Sequence, residues 1–136
     1  MTRYMRTGAV LLCAALAAGC SDGGGSDITT PPQPGFLTAV LTTPHADDAA
    51  VLVEITGAGI TTVDAGGSGH TVHGRVSGAT LRAAAFGEVR SGLLVRFAVP
   101  DVNRSGSYSA RIIEASGPDN ALRADVSGYR VDVTRP

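Results

Sequence analysis

The sequence predicts an all-β sandwich, and three observations predict it. Apolar residues recur with a period of two almost everywhere from Phe36 to Pro136, turn signals punctuate the pattern at short, even intervals, and glycines interrupt every window long enough to carry a helical period. The chain has 136 residues, with 18 Gly, 7 Pro and no Trp, which is room for one small domain. A formal charge of −1 gives no reason to expect a nucleic-acid partner.

The turn signals divide this region into nine expected strands. Phe36 to Thr42 runs into TPHADD, and Ala49 to Ile55 runs into the GAG at Gly57 to Gly59. Ile60 to Asp64 stops at AGGSG, Thr71 to Val76 at VSG, and Thr80 to Phe86 at GEVRSG. Leu93 to Val99 stops at PDVNRSG, Tyr108 to Ala115 at SGPDN, Leu122 to Val126 at a second VSG, and Tyr129 to Thr134 closes the domain. Alternation assigns Leu93, Val95, Phe97 and Val99 to the core, with Leu94, Arg96 and Ala98 on the opposite face. In the same way Tyr108, Ala110 and Ile112, and then Tyr129, Val131 and Val133, are expected inside.

Ahead of the domain, Arg3 and Arg6 precede a small, apolar run from Thr7 to Gly19 that closes on Cys20. This pattern predicts a signal peptide over residues 1–19, because spanning a bilayer takes about 20 apolar residues and the run is shorter. The stretch LAAGC resembles the lipobox of bacterial lipoproteins: Ala18, Gly19 and Cys20 match it, while Ala17 stands where the usual Leu would be and Leu16 lies one place further out. The resemblance implies cleavage before Cys20, lipidation of its sulfur and anchoring in the cell envelope. Ser21 after the Cys resembles an outer-membrane sorting signal. The competing reading is an ordinary signal peptide cut nearby, which would leave Cys20 a free thiol. Removal of residues 1–19 takes Cys13 away, so no disulfide is expected in the remaining chain, and nine Arg are left against twelve acids. Residues 20–35, rich in Gly and Pro, read as a flexible tether, and residues 36–136 as the folded domain.

Three segments, FLTAVLTTPHADDAAVLVEITGAGI, LRAAAFGEVRSGLLVRFAV and SYSARIIEA, give the domain a strand pattern that resembles the cohesin-like family. That resemblance implies a nine-stranded jelly roll that works as a non-catalytic protein-binding or structural module, and it marks no contact residues here. A carbohydrate-binding module is the alternative on the same architecture. It requires exposed aromatics for sugar rings to stack on, and of Phe36, Phe86, Phe97, Tyr108 and Tyr129 at least three are already assigned to the core.

Other constellations point to less. Asp101, Asn103 and Ser105, followed by Gly106, imitate the first half of a Ca²⁺ loop, but the twelfth position holds Ile112 where a bidentate Glu belongs; an Asx-rich turn gives the same pattern. His70 and His73 sit three apart on a strand and so face opposite ways, and His45 with Asp47 and Asp48 lies in a different loop. GGSGH at Gly66 to His70 lacks the sequence of a nucleophile elbow, and GAG lacks the third Gly of a dinucleotide fingerprint. No catalytic set and no cofactor are expected. Arg82, Arg96, Arg111 and Arg130 are expected outside the core on four strands, either as a basic face or as ordinary solvated charges that discourage edge pairing.

Overall fold

The computed structural model describes residues 30–136. The expected signal peptide, Cys20 and most of the expected tether lie outside the described residues. Eight strands follow in chain order: β1 Gly35–Thr42, β2 Asp48–Thr56, β3 Val63–Ala65, β4 His70–Ser77, β5 Thr80–Val89, β6 Gly92–Val99, β7 Ser109–Ser116 and β8 Arg130–Thr134, with one 3₁₀ turn, Val102–Ser107, before β7. They form two antiparallel four-stranded sheets, ordered β3-β6-β1-β8 (sheet A) and β4-β5-β2-β7 (sheet B).

The inward residues of both sheets meet in one core. Leu37, Ala39, Leu41, Val95, Phe97 and Val99 come from sheet A, and Val51, Val53, Ile55, Leu81, Ala83, Ala85 and Ala115 from sheet B. Alanines dominate the β5 contribution and Phe97 is the largest fully buried side chain, so large and small groups interdigitate across the layer. Two glycines are fixed by close approach. A Cβ on Gly57 would enter the ring of Tyr108, and one on Gly74 would overlap Val63 where β4 meets β3.

A β-bulge in β6 corrects the expected core. In β6, Ala39 pairs with Val95 but Val40 pairs with Leu93, so Leu94 is the extra residue and turns inward. Leu94 is fully buried and Leu93 is exposed, the reverse of what simple alternation predicts. In β7 the same device falls at Ile113, between Ile112 opposite Val53 and Glu114 opposite Leu52, and there Ile112 keeps its expected place against the core.

The strand expected at Leu122 to Val126 does not form. The turn after β7 carries Asn120 in a left-handed conformation (φ 61), one isolated bridge joins Ser116 to Leu122, and the chain then bends away. Its charge, not its alternation, sets its path: the Arg123 side chain reaches the carboxylates of Asp47 and Asp48, and Leu122 is left two-thirds exposed. The strand expected at Ile60 to Asp64 is displaced and shortened to Val63–Ala65. Ile60 is buried ahead of it, and Thr61 and Thr62 bond the backbone of Ala98 irregularly.

Candidate functional site

The outer face of sheet B is a grid set by strand register. Its first row reads Thr71, Phe86, Ala50, Ser116 across β4, β5, β2 and β7, and the second His73, Ala84, Leu52, Glu114. The third reads Arg75, Arg82, Glu54, Arg111, and the fourth Ser77, Thr80, Thr56, Ser109. Successive rows lie two residues apart along the strands, about 6.8 Å. One half of the face therefore has an apolar centre edged by Thr71, His73, Glu114 and Ser116, and the other half is charged and hydroxylic.

The apolar half is a shallow groove lined by Ala50, Leu52, Ala84 and Phe86, with Leu122 at its rim. Phe86 is about half exposed (47%) with His73 against its ring at 6.2 Å, and Leu122 is 67% exposed. Large apolar side chains left open side by side are what a binding surface requires.

The charged half is organised by Glu54. Its carboxylate, only 10% exposed, accepts from Arg82 Nε at 2.8 Å through one oxygen and from Arg111 Nε and Nη2 at 3.0 and 2.6 Å through the other. Hydrogen bonds from Arg111 and then Arg82 hold the Glu54 carboxyl below the usual carboxylate range, against the opposing pull of burial. The cross-strand pairing that brings these three side chains together is invisible to sequence spacing, because residues 54, 82 and 111 come from three strands that are not consecutive in the chain.

A second polar cluster sits at one end of the sandwich. Asp48, at the start of β2, is fully buried; its Oδ1 accepts from Tyr129 Oη at 2.8 Å and Arg123 Nε at 3.1 Å, and its Oδ2 from Thr43 Oγ1 at 2.6 Å. Arg123 also bonds Asp47 at 2.7 Å, and His45 lies against the Tyr129 ring at 5.9 Å. Burial, and then the hydrogen bond to Asp48, pushes the Tyr129 phenol up. Both oxygens of buried Asp48 face donors within the cluster, so its chemistry is that of a clamp holding the irregular segment 117–129 to β2.

The calcium candidates fall on the 3₁₀ turn, where their geometry is that of a cap. Asp101 Oδ1 accepts from the backbone N–H of Asn103 at 3.0 Å and of Gln33 at 3.1 Å, and the bond from Gln33 does most to lower its carboxyl below the usual range. The Ser105 carbonyl accepts from the Tyr108 N–H, and the Tyr108 hydroxyl donates to the Ala58 carbonyl at 2.7 Å. Among the described residues no group of three or more His, Cys, Asp and Glu side chains is placed to hold a metal.

The histidines stay apart. His70 Nε2 lies 2.7 Å from the Leu94 carbonyl on the inner side, while His73 stands on the outer grid and His45 at the clamp. The four arginines expected outside the core do not share a face. Arg82 and Arg111 belong to sheet B, whereas Arg96 stacks on Phe36 at 4.5 Å and Arg130 pairs with Asp132, both on sheet A. Arg75, which sequence reasoning passed over, is the one that joins Arg82. The two exposed phenylalanines, Phe36 and Phe86, likewise lie on different sheets, so they form no common stacking platform. Gly57 to Gly59 and Gly66 to Gly69 are connections between strands, with positive φ at Gly59 and Gly69. No family model, curated protein or solved structure matches the chain.

Proposed function

We propose that the protein is lipid-anchored through Cys20 at the cell envelope, on the outer membrane, and that its domain is a cohesin-like jelly roll acting as a non-catalytic protein-binding or structural module. The observation that carries the binding reading is the outer face of sheet B, where Phe86 and Leu122 stand open around half-buried Leu52 beside a pre-ordered Arg–Glu–Arg row. Interfaces of this kind combine an apolar centre with fixed charges that select the partner. The jelly-roll reading draws on the pairing: β1 with β8, β2 with β7, β3 with β6 and β4 with β5 is the nesting produced when one long antiparallel ribbon wraps around a core. The anchor draws on the sequence LAAGC and the tether that follows it.

Two experiments test the parts separately. Labelled palmitate is expected to enter the protein, and Cys20→Ser to move it out of the membrane fraction; an unaltered fraction removes the anchor. A photo-cross-linkable residue in place of Phe86 is expected to give a protein adduct in intact cells, and one in place of Phe36 on the other sheet to give none. Absence of an adduct together with reproducible glycan-array hits would turn the reading to a carbohydrate-binding module.

A further inference from the structure

Within the third row of the sheet B grid, Arg75 and Arg82 are direct cross-strand partners on one face. Like charges placed directly opposite destabilise an antiparallel pair, and nothing local repays that cost at Arg75. Among the described residues Arg75 makes no ion pair. Glu54 does not neutralise the pair, because one of its oxygens is taken by Arg111 and the other by the Nε of Arg82 alone. The Nη donors of Arg82 therefore have no protein partner among the described residues, while its guanidinium is held in place from behind. Glu114, the other acid on this grid, sits one row away and on the far edge strand, about 14 Å across three strand spacings.

The fourth row supplies neutral donors. Ser77 and Thr80 are also cross-strand partners, two residues along from Arg75 and Arg82 on the same face. Their hydroxyls make no side-chain hydrogen bond among the described residues, and Arg75, Arg82, Ser77, Thr80 and Glu54 line one open recess. Arg75, with no ion pair, and Arg82, whose Nη donors have no protein partner among the described residues and whose Nε is held by Glu54, stand beside two hydroxyls and leave a cluster of donors unused by the protein. Guanidinium forks match oxyanions, and such charge-assisted bonds are the strong ones. A rule of sheet pairing broken without local compensation is what a binding site looks like from the inside.

We propose that Arg75, Arg82, Ser77 and Thr80 form an oxyanion-binding site on the outer face of sheet B, taking a carboxylate, sulfate or phosphate group, with Glu54 as the residue that positions Arg82. The inference goes beyond the binding-module reading and does not depend on the anchor or on the cohesin-like resemblance.

The test is a titration of the full chain in detergent, following the side-chain N–H signals of its arginines by NMR at constant ionic strength. Sodium acetate, sulfate and phosphate are the three probes, with chloride as the reference. Expected is saturable binding on the order of 1 mM of at least one probe, seen at Arg75 and Arg82; which probe saturates names the group. Arg75→Ala is expected to weaken it about tenfold, whereas Arg130→Ala, on the opposite sheet, leaves it unchanged. Arg75→Ala is also expected to raise the thermal midpoint at low salt, by relieving the like-charge pair, and to abolish the upward shift that the bound anion gives. If no probe saturates beyond chloride, or if the Arg75→Ala variant binds as well as the parent, the site is overturned. Either result leaves the outcome of the Phe86 cross-linking experiment untouched.

Discussion

Glu54 is nearly buried on a face that is otherwise open, and the two arginines that make this tolerable are each about two-thirds exposed. The pair bonds thus work at the edge of water, where salt screens them. With its carboxyl depressed, Glu54 contributes stability that is present above its unfolded value, near 4.5, and is lost as pH falls through the lower folded one. Asp101 and Asp125 are depressed as well, the first by backbone N–H donors and the second by Ser127, so their contributions have the same sign. The thermal midpoint is therefore expected to fall on acidification below the ordinary carboxylate range. Glu54→Gln should lower the midpoint at neutral pH and make that acid limb shallower without abolishing it, as melting curves over a pH series will show. An unchanged acid limb would mean that the triad contributes nothing to the fold. At this scale the sequence was legible for Val95, Phe97 and Val99, whose alternation matches their burial. The ring of charges was not, because Arg75, Arg82 and Arg111 become neighbours only through register.

At the scale of elements, a bulge decides which residues of β6 are core. A one-residue insertion flips every later side chain to the other face unless a bulge absorbs it. In β6 that absorption falls at Leu94, which keeps Val95, Phe97 and Val99 inside while Leu93 joins Val40 on the outer face. Leu94→Ala is accordingly expected to cost about 2–5 kcal/mol, and Leu93→Ala to stay within about 0.5 kcal/mol. Urea unfolding with an unchanged m-value checks both, and equal costs would place the bulge elsewhere. The segment 117–129 makes the same point from the other side. Its Leu122, Ala124 and Val126 alternate as a strand should, yet a buried Asp48 calls in Arg123 and Tyr129, and that clamp outranks the pattern.

The described domain is closed by its first and last strands. β8 pairs with β1, Thr38 opposite Thr134 and Thr42 opposite Arg130, and Thr38 Oγ1 lies 3.0 Å from Thr134 Oγ1. Removal of residues 129–136 would strip β1 of one neighbour, take Val131 and Val133 away from the core they pack against, and take the Tyr129 hydroxyl from buried Asp48. Such a truncation is expected to lose its cooperative melting transition; a cooperative transition in the shortened chain would show that β8 is dispensable. Because this first-to-last pairing must form across nearly the whole domain, refolding is expected to be slow for its size, in the millisecond to second range. Stopped-flow refolding measures it directly.

By itself the sequence determined that the described domain is built of strands, and it carries the expectation of a signal peptide over residues 1–19 and a Gly- and Pro-rich tether over 20–35 ahead of them. Period-two patterning and turn residues act locally, so they can be read locally. Only the tertiary structure decided that there are eight strands among the described residues, that they order as β3-β6-β1-β8 and β4-β5-β2-β7, and that Arg75 stands beside Arg82 and Glu54. Those facts depend on register between strands far apart in the chain. Register is set by bulges, close glycine contacts and a buried carboxylate, none of which leaves a periodic trace in the sequence.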